Sequence, residues 1–219
     1  MFDYDKLIKK CFEKNLQKIK GVIHIGACWP CNQTPIYVKN NINNICLIEA
    51  SEFLYKNLLK DQKRKIASGD KIIPLVFNEV ISSDNQKKLF YQYFNDASDN
   101  KGCSSLYQAD PRFENLELEK ELLVETITID SFFKKHSLDM KTYNFLVMDI
   151  QGSELDALHG AKEFLKNVDF ICCEVSYERT YKNSCTHSEI DNFLFKNGFI
   201  KKDYLPVTKI WGDAYYVRG

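Results

Sequence analysis

Short apolar runs recur along the chain, and most open into a small-residue or acidic turn followed by residues at helical spacing. Residues 21–27, GVIHIGA, set Val22, Ile23 and Ile25 in a strand that ends at a Gly26-Ala27 turn, where the backbone can approach a ligand closely. Residues 44–50, NICLIEA, form a second strand closed by Glu49, and residues 71–82 a third, with Asn78 and Glu79 near its end. Strand character returns at residues 87–96, 123–130, 144–148, 168–176, 199–205 and 214–217. Amphipathic helices are predicted at residues 4–18, 34–40, 52–60 and 188–196, with Asn197-Gly198 stopping the last. Another follows the turn at Gly152, with Ser153 as N-cap and Leu155, Leu158, Ala161 and Leu165 on one stripe. Alternating strand and helix with a terminal strand pair, joined by a turn containing Trp211, Gly212 and Asp213, predicts an α/β fold. The expected form is a doubly wound sheet, mostly parallel with one antiparallel edge strand.

The middle of the chain breaks this alternation. Residues 85–120 read as a substrate-covering insertion within one domain of residues 21–219, preceded by an N-terminal helical extension over residues 1–20. With 219 residues, 44% of them hydrophobic, one sizeable core is expected.

Candidate chemistry gathers at strand ends. Asp149 closes the strand at residues 144–148 and Glu174 nears the end of the strand at 168–176, so two parallel strands bring carboxylates to one sheet edge. In open α/β sheets that edge is where ligands bind. Glu49 ends its strand 23 positions after Gly26, the arrangement of a βαβ unit whose acidic residue accepts hydrogen bonds from ribose hydroxyls.

Composition narrows the classes. Thirty Lys plus Arg balance thirty Asp plus Glu, which removes the broad electrostatic footprint of a duplex-binding protein and makes a nucleic-acid partner unlikely. No apolar window is long enough to span a bilayer, and the start alternates apolar with charged residues, unlike a signal peptide; a cytoplasmic location is expected. Of eight cysteines, Cys46, Cys172 and Cys173 sit in apolar runs as small hydrophobes. Cys28 and Cys31 have zinc-like spacing but no second pair to complete four ligands.

Five segments in order resemble the FkbM family of S-adenosylmethionine-dependent methyltransferases: HIGA at residues 24–27, IEAS at 48–51, ETITID at 125–130, MDIQGSELDALHGA at 148–161 and WGDAYYVR at 211–218. The resemblance runs from Gly21 onward, and the DIQGSE and WGDAYYV segments are its most specific parts. It implies a seven-stranded Rossmann-like methyltransferase sheet and S-adenosyl-L-methionine as cofactor, with the HIGA turn (His24, Gly26, Ala27) holding the methionine part and Glu49, followed by Ala50 and Ser51, holding the ribose. Asn78, Glu79 and Val80 would border the adenine, and Asp149, Ile150 and Gln151 would line the floor beside the sulfonium. It also implies O-methylation of a sugar or glycan acceptor. The sequence departs from the family at Cys28-Trp29-Pro30-Cys31-Asn32, where another glycine is usual.

An alcohol is a poor nucleophile until its proton leaves, so the catalytic candidates are Asp149 and Glu174 as general base; His24 is a weaker one. Both carboxylates are hard oxygen ligands that would suit a divalent metal such as magnesium, but two carboxylates do not define a site. Tyr91, Tyr93, Tyr107 and Trp211 offer sugar-stacking rings. The rival readings are an RNA ribose 2'-O-methyltransferase and a non-catalytic binding module that retains the fold.

Overall fold

The computed structural model describes residues 3–94, 102–112 and 116–219. Its centre is a seven-stranded sheet built on β1 (Gly21–Ile25), with β2 (Asn44–Glu49) and β3 (Leu75–Asn78) on one side. On the other lie β7 (Phe145–Met148), β8 (Phe170–Ser176), β10 (Trp211–Arg218) and, outermost, β9 (Phe199–Pro206). The order is β3-β2-β1-β7-β8-β10-β9; β10 runs antiparallel to both neighbours, and the five strands from β3 to β8 are parallel.

Both faces are covered, which is why the central strands read as unbroken apolar runs. Alternate residues serve opposite cores. Val22, Ile45, Leu47, Phe145 and Val147 pack with α1 (Asp3–Asn15) and α2 (Thr34–Lys39) through Ile8, Cys11, Phe12 and Tyr37. Ile23, Ile25, Ile48, Leu146 and Met148 pack with α4 (Ile129–Lys135), α5 (Glu154–His159) and α6 (His187–Lys196) through Phe132, Leu158 and Leu194. The N-terminal helix is thus part of the sheet's cover. All eight cysteines are free thiols.

A second sheet, β4-β6-β5, stands beside the first; its strands are β4 (Val80–Ile81), β5 (Lys87–Phe94) and β6 (Glu117–Ile127). It carries the predicted insertion, of which residues 95–101 and 113–115, including the predicted strand end at Asn95 and Asp96, lie outside the described residues.

Several boundaries differ from the sequence expectation. The third strand divides: Pro74, which has no N–H to give a ladder, precedes β3, and after Glu79 the chain leaves for the second sheet, where Val80 pairs with Thr126. The strand expected at residues 123–130 begins earlier, at Glu117, and gives way to α4, whose N-cap Thr128 accepts from Ser131 N. The helix α3 (Glu52–Ser68) runs a further two turns before Gly69 ends it. The stripe from Leu155 to Leu165 is not one helix: α5 ends at His159, and the Asp130 carboxylate accepts from Glu163 N and Phe164 N to start a separate 3-10 turn at Phe164–Asn167. Ser153 occupies the N-cap position without a side-chain cap bond. The last turn lies at residues 207–210, where Thr208 Oγ1 accepts from Ile210 N and Trp211 N, so Trp211, Gly212 and Asp213 belong to β10.

Candidate active site

A cleft of about 960 Å³ runs along the carboxyl edge of β1, β2, β7 and β8, at the upper end of the range for small-molecule sites. It brings together His24, Gly26, Ala27, Glu49, Ala50, Glu79, Val80, Asp149, Ile150, Gln151 and Glu174. Of the residues expected there from sequence, Ser51 and Asn78 do not line it. Ser51 gives its N–H to Glu49 Oε1 (2.8 Å). Asn78 buttresses the loop from behind, its amide donating to Glu49 O (2.8 Å) and Ala50 O (3.0 Å).

The β1 turn is tight. Gly26 has φ of 75° and crosses so near β7 that a Cβ there would lie 1.8 Å from Asp149 O. Gly26 N and Ala27 N both donate to Ile48 O, and Cys28 N donates to Glu49 Oε2 (2.9 Å). Glu49 therefore has both oxygens held by backbone N–H groups while its carboxyl faces the cleft. Burial outweighs these bonds and pushes its pKa up to about 7. His24 is buried, within 3.2 Å of the Tyr37 hydroxyl through Nδ1, and burial lowers it to about 3, so it is a neutral core imidazole. Burial, reinforced by Glu49, pushes the Cys28 thiol up to about 12, out of nucleophilic range.

At the β7 and β8 ends, Gln151 joins the carboxylates: its Nε2 donates to Asp149 Oδ1 (2.6 Å) and reaches Glu174 Oε2 (3.4 Å). The one amide thus holds Asp149 and Glu174 side by side, and desolvation raises the Asp149 pKa. The Tyr181 hydroxyl fixes the amide by donating toward Gln151 Oε1 (2.8 Å), with Cys103 O at 2.9 Å. Gln151 sits at φ of 55° and Gly152 at 92°, and Ser105 Oγ donates to Gln151 O, so the insertion loop is fastened to this turn. Glu154, buried and pushed up to about 7, braces the same turn by accepting from Ile150 N.

Sequence reasoning missed Tyr181, Glu154 and Asp213. Asp213 had a readable signal, the WGDA segment, and pairs in register with Glu174 from β10. Tyr181 carries none, because only folding brings it to Gln151. Of the proposed stacking rings, Trp211 lines the cleft; Tyr91, Tyr93 and Tyr107 do not, and the Tyr107 hydroxyl is taken by Asp156 (2.6 Å). Among the described residues no cluster of three or more His, Cys, Asp or Glu is arranged to hold a metal, and no helix is long and apolar enough to cross a membrane.

The family model described as the methyltransferase FkbM domain matches residues 24–201. The chain belongs to the FkbM methyltransferase family. An FkbM methyltransferase from Methylobacillus flagellatus superposes with a TM-score of 0.58 at 14% identity, covering 90% of this chain and 43% of that one, so this chain spans less than half of that relative's length. The magnesium protoporphyrin IX methyltransferase of Synechocystis, solved with bound S-adenosylmethionine, gives 0.52 at 10% identity over 98% and 78% of the two chains. A human methyltransferase 10 domain containing protein gives 0.51 at 11% identity over 99% and 82%. No curated protein matches the sequence. Family membership makes the chain an FkbM methyltransferase domain, and the structural relatives share its fold.

Proposed function

We propose that the protein transfers a methyl group from S-adenosylmethionine to a hydroxyl of a sugar or glycan. The observation that carries this reading is the Gln151-bridged pair of Asp149 and Glu174, in the same cleft as the strand-end acid Glu49. The residues present fit the cofactor: Glu49 offers a buried carboxyl to ribose hydroxyls, and the surrounding carboxylates match a sulfonium's positive charge. Gly26 and Ala27 would border its methionine part, with Ala50, Glu79 and Val80 toward the adenine. When bound, the cofactor supplies an electrophilic methyl group. Asp149 takes the acceptor's proton at a carboxylate oxygen, Gln151 holds that carboxylate in place, and Glu174 shares the proton. A positioned base of this kind contributes about a hundred- to ten-thousand-fold, and orientation of the acceptor up to roughly 7 to 11 kcal/mol.

The lining supports an uncharged acceptor. Glu49, Glu79, Asp149, Glu174 and Asp213 line the cleft, and none of its described lining residues is Lys or Arg, which disfavours a phosphodiester chain. Trp211 offers an aromatic face for a sugar ring.

Isothermal titration with S-adenosylmethionine and S-adenosylhomocysteine is the first test. Binding that disappears in Glu49→Ala, followed by methyl transfer to sugar acceptors, is the expected outcome. Heat from neither ligand and no thermal shift would instead indicate a binding module. Steeply salt-dependent RNA binding would favour the RNA reading.

A further inference from the structure

The turn after β1 has already committed its backbone. The N–H groups of Gly26, Ala27 and Cys28 go to Ile48 O and Glu49 Oε2, so the part of the loop nearest the cofactor end has these donors occupied. The chain then turns outward through Cys28, at φ of 52°, and delivers Trp29 to the cleft. The indole is fixed there by a hydrogen bond from Nε1 to Asp61 Oδ2 (2.8 Å), on α3, the helix that starts three residues after Glu49. Trp29 remains 38% exposed, and Phe53, from the first turn of α3, lines the same cleft at 54% exposure. An anchored indole with its surface open toward a concave site gains most when a flat ligand covers it.

We propose that Trp29 is a cofactor-binding residue: its ring, held by Asp61, forms the wall against which the adenosine part of the cofactor packs. The assignment to adenosine follows from the lining, because Trp29 shares the cleft with Glu49, Ala50 and Phe53, where β2 ends and α3 begins. The inference rests on the cofactor reading above.

The chain has two tryptophans, so Trp211→Phe leaves Trp29 as the sole indole fluorophore. S-adenosylhomocysteine and adenosine are each titrated into wild type, W211F, W29A, W29F and D61A, with calorimetry and emission read together. Trp29 emission should change on binding, and W29A should weaken both ligands by about tenfold, with W29F retaining most of the affinity. D61A, which keeps the ring but frees it, should fall between. An equal loss for adenosine places the contact on the adenosine part, and retained affinity in W29F with an unchanged melting temperature in ligand-free W29A separates ring packing from a general loosening of the fold. Unchanged affinity in W29A with silent Trp29 emission, in a protein that binds the ligand, overturns the proposal and leaves the proposed function standing. Should W29A fail to fold, a silent Trp29 in ligand-bound W211F overturns it equally. No binding by wild type overturns both.

Discussion

Glu49 combines two properties that rarely coexist: both oxygens accept backbone N–H bonds, and the group still holds its proton to about pH 7 because water is excluded. A ribose hydroxyl is best received by the ionised form, so binding would draw the proton off. S-adenosylhomocysteine affinity should therefore rise with pH through about 7, and Glu49→Gln should bind weakly and without that dependence; calorimetry across the range reads both. Asp149 is also raised by desolvation, so the rate should climb with pH as it ionises. Asp149→Asn should lower kcat by a hundredfold or more while leaving S-adenosylhomocysteine affinity within a few-fold, as expected when a base rather than a binding contact is removed. Full activity in that variant would exclude Asp149 as base.

Between elements, the decisive junction is the β7–α5 turn. Tyr181, from the loop after β8, holds the Gln151 amide, and Ser105 of the insertion holds its carbonyl, so three separate segments must agree before the carboxylates are aligned. Tyr181→Phe removes the group that decides which end of the amide faces Asp149. It should lower kcat by about tenfold with little change in cofactor affinity, and Gln151→Glu, placing a third acid there, should cost more. This junction also marks how far the sequence could be read. Strand-end residues such as Glu49, Asp149 and Glu174 were legible because the register of a buried parallel strand fixes which residue reaches the edge. For Asn78 the strand register places the residue at the end of β3 but does not say that its amide turns to the carbonyls of Glu49 and Ala50. The stripe through Leu155 and Leu165 carried correct burial but the wrong helix, since the Asp130 side chain that restarts the chain comes from a different element. Contacts such as Tyr181 with Gln151 leave no local pattern.

For the molecule as a whole, the buried acids set how stability depends on pH. Glu49 and Glu154 keep their protons to about pH 7 when folded and to lower pH when unfolded. Their contribution is complete below the usual carboxylate range and is lost as pH rises through about 7. Each can account for up to about 3 kcal/mol. The ligand-free protein should thus melt at a lower temperature at pH 8 than at pH 5.5, and Glu154→Gln should flatten the trend; calorimetric scans without cofactor check it. The position of β10 bears on a different event, synthesis. It occupies the slot between β8 and β9, both of which leave the ribosome before it. With its only sheet neighbour unmade, β9 has no place in the sheet until β10 pairs with it across the turn at residues 207–210. The two strands therefore join β8 as a hairpin, and the face carrying Glu174 is finished only when Asp213 arrives opposite it.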